Sequence, residues 1–305
     1  VAGPTGAGKS SFINMFCGSE LKVGHNLRSC TTAIEVASCK LEGQTIVMID
    51  TPGFDDSERS QADILKQIAD YLEFSYGHGQ KLTGLIYLHR ISDDRFGGIA
   101  RENFRLFSKI CGDDAMRNVL IVTTMWEEVH QEVGERREGE LMNKEIFFKG
   151  ALNHGARMCR HHNTVLSARN TVRELLGLSP RVVQMQHEIV DECKDLPQTA
   201  AGEELQSELE RQAKDYHQRM QDLQEEIDVA LARKELLHQE DLQSLRNQLT
   251  AIEAKLLKVQ GDVKKIKADT RRRDKMHGNL WGRFFREPDR RWPPVTYIPD
   301  RTCSM

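Results

Sequence analysis

Gly3-Pro4-Thr5-Gly6-Ala7-Gly8-Lys9-Ser10 spells G-x-x-x-x-G-K-[ST] near the start of the chain. Glycines at those positions let the backbone wrap so that successive N–H groups converge on a phosphate. The lysine then reaches β- and γ-phosphates, and the hydroxyl beside it is placed to ligate Mg²⁺. Ser11-Phe12-Ile13-Asn14-Met15-Phe16 reads as the helix whose N-terminal dipole faces the anion, with Ser11 in its first turn. The expected phosphate-binding set is therefore Gly3, Pro4, Thr5, Gly6, Ala7, Gly8, Lys9, Ser10 and Ser11, and the ligand a nucleoside triphosphate. A strand should feed such a loop, yet only Val1 and Ala2 precede it and there is no initiator methionine, so the expectation is a fragment lacking its first strand.

The second half of such a site is Ile46-Val47-Met48-Ile49-Asp50-Thr51-Pro52-Gly53, an apolar strand ending in D-T-P-G. A carboxylate at the strand's end can hold the Mg²⁺ shell, and the glycine N–H can contact the γ-phosphate and report its presence. Between the two motifs lies Ser29-Cys30-Thr31-Thr32. A switch threonine belongs there, with its hydroxyl on Mg²⁺; Thr31 is the choice and Thr32 the fallback. The metal set is thus Ser10, Thr31 and Asp50, and the groups assigned to catalysis are Thr31, Lys9 and Gly53.

P-loop, threonine-bearing switch and Asp50-Thr51-Pro52-Gly53-Phe54-Asp55-Asp56 together resemble the translation-factor class of GTPases, and within it the septin, AIG1 and Toc branch. The layout is similar to that of fungal G-domain proteins ending in a coiled coil. The resemblance covers residues 1–178; beyond them it is one of layout alone. It implies GTP/GDP and Mg²⁺ as cofactors, and guanine recognition by an [NT]-K-x-D motif after a buried strand. Thr124 takes the first position of that motif, Met125 stands for the lysine and Glu127 for the aspartate. Glutamate keeps a carboxylate for the guanine N1–H and amine with one more methylene, while Met125 or Trp126 must replace the packing that lysine provides. Ser167-Ala168-Arg169 resembles the loop that supports the base, with Asn163 as the alternative to Ser167 and Ala168.

Many small GTPases place a water-orienting glutamine directly after the switch glycine. This chain has Phe54 there, and a phenyl ring cannot orient water, so unaided hydrolysis should be slow. Three readings follow: a Mg²⁺-dependent switch or assembly GTPase, a coiled-coil scaffold with a nucleotide-binding but hydrolytically weak head, or an ATP-binding P-loop enzyme.

Positioning these residues requires a three-layer α/β domain with a parallel sheet. The pattern predicts an antiparallel pair over 33–41 and 44–50, strands over 82–88 and 118–124, and helices over 60–76, 100–111, 135–158 and 167–177. The G domain is expected over 1–178, then a helical linker over 179–200. From Leu205 the apolar residues step by threes and fours, and Leu242, Leu245, Leu249, Ile252, Leu256, Val259, Val263 and Ile266 hold a heptad seam. That pattern predicts a coiled coil over 201–268, at 1.5 Å per residue roughly 90 Å long, serving self-association; a single solvated helix, or one folded back on the head, is the alternative. Residues 269–305 are basic and aromatic and read as a solvated tail, with an anionic membrane surface as a further candidate contact. The net charge of −3 argues against nucleic acid as the partner, and seven cysteines without a C-x-x-C pair fit a reduced, cytoplasmic setting. His154, Cys159, His161 and His162 are read as helical spacing and chance rather than a zinc site.

Overall fold

The apolar stretch that ends in Asp50 is the second arm of a hairpin. In this computed structural model, which describes residues 1–19, 34–56, 59–93, 97–232 and 239–269, β1 (Glu35–Leu41) and β2 (Gln44–Asp50) pair antiparallel, with Leu41 opposite Gln44 and Glu35 opposite Asp50. The register thus holds Asp50 at the end where β1 enters. Ser29 to Thr32, including the switch candidate Thr31, lies outside the described residues, as do residues 270–305 of the basic tail.

β3 (Leu85–Arg90), β4 (Val119–Thr124) and β5 (Arg157–Arg160) form a parallel sheet with β4 in the middle. All six residues of β4 are buried, as a strand covered on both faces demands. Ala2 lies parallel to β3: its N–H donates to the Ile86 carbonyl and its own carbonyl accepts from Leu88 N–H, both at 2.8 Å. Thr51 Oγ1 donates to the Val1 carbonyl at 3.0 Å, so the residues leading into Gly3 run between β3 and the end of β2.

Helix α1 (Lys9–Cys17) packs on β1 and on α6 (Val165–Arg173). Helix α2 (Gln61–Gly77) buries Ile64, Leu65, Ile68, Ala69 and Leu72, the face its periodicity predicts, and Ser60 caps it by accepting Asp63 N–H at 3.3 Å. Helix α3 (Gly98–Cys111) covers the sheet through Phe104 and Phe107, which pack with Tyr87 of β3.

One expected helix is not continuous. The span 135–158 divides into α4 (Gln131–Asn143), α5 (Lys149–Asn153) and β5. The break follows Asn143, where Lys144 turns extended and the chain drives Phe148 fully into the core; Gly155, at φ 96°, then redirects it into β5. β5 reads Arg-Met-Cys-Arg and is half-buried throughout, so it shows neither alternation nor an apolar run.

The short helix α7 (Gln184–Gln186), a π turn over His187–Asp191 and a 3₁₀ turn over Leu196–Gln198 lead into α8 (Ala200–Ala232), and α9 (Gln239–Ala268) follows. These helices of 33 and 30 residues do not continue into one 90 Å rod. They pack antiparallel, with Lys267 Nζ near the end of α9 donating to Glu210 Oε1 near the start of α8 at 2.9 Å. Leu256, Val259 and Ile266 of the heptad seam are buried within the chain, and Leu205, Leu209, Val259 and Ile266 share one core cluster with Ile64, Leu65, Leu106 and Ile110 of α2 and α3. The hairpin and the head thus cover Leu256, Val259 and Ile266, while Leu245, Leu249 and Ile252 stay half-buried.

Candidate nucleotide site

Three side chains of the two motifs meet where β2 ends and α1 begins. Ser10 Oγ donates to Asp50 Oδ2 at 2.6 Å, and Asp50 is fully buried. Lys9, 7% exposed, donates from Nζ to the Gly3 and Pro4 carbonyls at 2.8 and 2.9 Å, so its stem crosses the loop and its charge lies inside the loop's curve. Burial pushes the Lys9 ammonium below its usual range, against the opposing pull of the Asp50, Asp55 and Asp56 carboxylates. Gly8, at φ 88°, turns the chain into α1, a conformation that an L side chain would strain. A buried cation, a hydroxyl paired with a buried carboxylate and the open amide end of a helix form the donor set that a Mg²⁺–nucleotide requires. The residues present fit that group.

Behind the loop, Thr124 Oγ1 at the end of β4 donates to the Ala7 carbonyl at 3.1 Å, so the first residue of the base motif ties the sheet to the P-loop. Met125 follows in the left-handed region (φ 59°) with its methyl toward Gly8: a Cβ there would lie 3.7 Å from it. Trp126 donates from Nε1 to Thr123 Oγ1 at 3.0 Å and is covered by the Arg160 guanidinium, 4.2 Å from the ring centroid. Met125 thus lies against the P-loop, while the Trp126 ring turns away to β5.

Glu127 is exposed, and its Oε1 accepts from Asn163 Nδ2 at 3.2 Å. Ser167 Oγ accepts from His162 N–H at 3.1 Å and lies 3.1 Å from His161 Nδ1. Ala168 is fully buried in the cluster that contains Phe12 and Ile13 of α1. The carboxylate expected to read a base is thus joined by Asn163, and Ser167 stands one turn behind it. Ser11 is half-buried in the first turn of α1, and Pro4 and Ala7 are joined by an Ala7 N–H to Pro4 carbonyl bond of 3.1 Å.

Two neighbours of the site hold contacts with the P-loop that no motif announces. Arg90, at the end of β3, sits against the P-loop, its Nη1 3.2 Å from where a Cβ on Gly6 would be, and pairs with Asp93 at 3.0 Å. Asp55 reaches into the P-loop, where its Oδ1 accepts Thr5 N–H at 2.7 Å. Only contacts distant in sequence, Thr5 with Asp55 and Gly6 with Arg90, show either role, because the sequence around them is that of a turn and a strand end. Phe54, by contrast, is 6% exposed and belongs to the core cluster with α2.

P-loop, strand-end Asp50, parallel sheet and the tie from Thr124 define a G domain of the P-loop GTPase class. The AIG1 family model matches residues 1–224, and the chain belongs to the AIG1 family, as a GTP-binding protein of that class. The match runs past the head into α8. No curated protein matches the chain. Among solved structures, a dimerisation-deficient mutant of Toc33 from Arabidopsis thaliana is 16% identical, with 59% of this chain and 85% of that chain covered and a TM-score of 0.46. Toc33 from Arabidopsis thaliana in complex with Mg²⁺ and GMPPNP is 20% identical, with 53% and 69% covered and a TM-score of 0.43. The cytosolic domain of the T. maritima FeoB iron transporter is 16% identical, with 86% and 96% covered and a TM-score of 0.36.

Proposed function

We propose that this chain is a Mg²⁺-dependent GTP switch or assembly GTPase with slow unaided hydrolysis and nucleotide-linked self-association. The observation that carries the reading is the Ser10–Asp50 pair at 2.6 Å beside the buried Lys9. In this reading Lys9 and the amides of Gly6 to Ser10 hold the phosphates, Ser10 and Asp50 hold the metal with Thr31, and Glu127 with Asn163 reads the guanine. Bound there, Mg²⁺ would neutralise charge on the β- and γ-phosphate oxygens.

Slow turnover is supported by the direction of Phe54, whose ring packs into the α2 core and leaves no side chain from that position to orient water. Self-association through the C-terminal end of the heptad seam would need the α8–α9 hairpin to open, since Leu256, Val259 and Ile266 are buried within the chain. The head offers a different surface, because Val165 and Leu166 at the start of α6 are 50% and 66% exposed, two and three residues beyond Asn163. The test is binding of labelled GTP and ATP with and without Mg²⁺, phosphate release in the same samples, and mass by light scattering in each nucleotide state. Mg²⁺-dependent GTP preference with measurable turnover supports the switch. Binding without any turnover moves the protein to the scaffold reading, and equal binding of ATP removes Glu127 as the base reader.

A further inference from the structure

The D-T-P-G-F-D turn does not merely approach the P-loop; it lies on it. A Cβ on Gly53 would fall 2.7 Å from both Thr5 N and Thr5 Oγ1 and 2.8 Å from Asp55 Oδ1. Only a glycine permits that approach, and Gly53, Thr5 and Asp55 therefore share one small volume. Within it the Thr5 amide, a donor of the phosphate-binding loop, is held by the Asp55 carboxylate at 2.7 Å. The turn is closed on itself by Asp56 N–H donating to the Gly53 carbonyl at 3.2 Å. The same carboxylate acts on the Lys9 ammonium as a favourable charge.

In the GTP-binding reading, the Gly53 N–H is placed to meet the γ-phosphate. Asp55 thus presents an anionic oxygen on the γ-phosphate side of the loop, to a donor and within the field of a cation that a terminal phosphate would also use. Two anions cannot hold these groups at once: like charges at such separations repel strongly in a partly buried site. A diphosphate leaves that end of the loop to Asp55, whereas a triphosphate must expel it.

We propose that Asp55 is the residue that sets the balance between triphosphate and diphosphate, occupying the γ-phosphate side of the P-loop in the free and diphosphate-bound protein and yielding only to the terminal phosphate. The proposal rests on the GTP-binding reading above. It also gives the switch a stroke: expelling Asp55 moves the turn whose next residues lead into α2.

The test measures dissociation constants of GDP and of a non-hydrolysable GTP analogue, with Mg²⁺, for the intact chain and for Asp55→Asn and Asp55→Ala. Asparagine keeps an acceptor for Thr5 N–H and removes the charge, while alanine removes both. The expected result is analogue binding about tenfold tighter in both variants, with GDP changed by less than about twofold, since a charge-assisted hydrogen bond carries about that differential. Equal changes for the two nucleotides, or weaker analogue binding, would overturn the role of Asp55 while leaving the GTP site in place. If the intact chain binds neither nucleotide, the GTP-binding reading itself falls, and the proposal with it. Far-ultraviolet dichroism of the variants separates any loss of folding from a change in preference.

Discussion

Lys9, Ser10 and Asp50 show how a phosphate site is held ready by burial. An ammonium and a carboxylate this deep cost several kcal/mol each to desolvate, and the structure offsets that by carbonyl acceptors on Lys9 and the Ser10 hydroxyl on Asp50. The proposed base reader is of a different kind. Glu127 is exposed and its one described partner is the Asn163 amide, so its discrimination depends on what the ligand itself excludes from water. Glu127→Gln keeps the size and the contact with Asn163 but removes the charge that guanine's N1–H and amine would share. We expect GTP to weaken by about 10- to 100-fold, the range for a lost charge-assisted pair, with ATP unchanged. Competition of each nucleotide against labelled GDP checks this, and an equal effect on both would remove Glu127 from the base site. The P-loop residues and Asp50 were legible from residue type and spacing, because phosphate and metal demand fixed donors. Asp55 was legible as a motif acid but not as the partner of Thr5, and Arg90 was not legible, since nothing in a strand-end arginine says which distant backbone it meets.

Helix α2 is where the site joins the rest of the fold. Its N-terminus is served twice, by Ser60 from its own chain end and by Asp262 of α9, whose Oδ2 accepts Gln61 N–H at 3.2 Å although the two are 201 residues apart. Asp262 is 5% exposed, and Lys265–Asp63 and Lys66–Asp269 pairs flank it. Asp262→Ala should cost about 1–2 kcal/mol in urea denaturation, the range for losing a capping acceptor, and a change below about 0.5 kcal/mol would mean that Ser60 alone suffices. Phe54 fastens the other side of the same helix. Phe54→Ala should destabilise by about 3–5 kcal/mol while leaving the affinity for GDP within a few-fold, because the ring fills core and touches no ligand group. Thermal melts and GDP titration read the two effects separately. Its apolar periodicity made α2 legible in full, whereas β5 was hidden by its four residues, all half-buried, and the 135–158 helix was overextended because charged residues continue past the break that Phe148 makes.

At the scale of the whole molecule, the long heptad pattern answers to an internal surface. An apolar heptad seam specifies a partner but not whose helix supplies it, and here α8 and α9, packed antiparallel, supply each other. Head and hairpin also share one buried cluster. Leu205 of α8 is 3% exposed in the same cluster as Leu65 of α2 and Ile266 of α9, so removing it opens a void that all three elements line. Leu205→Ala should therefore cost about 2–4 kcal/mol, and that cost should appear in the slowest-exchanging amides of β4 as fully as in those of α8 and α9, because cooperative units share the free energy of their common core. Hydrogen–deuterium exchange resolved by peptide reads this directly. Protection lost from the hairpin alone, with β4 unmoved, would mean that the helices form a separate folding unit resting on the head. In that case their seam would be free to open toward a second chain.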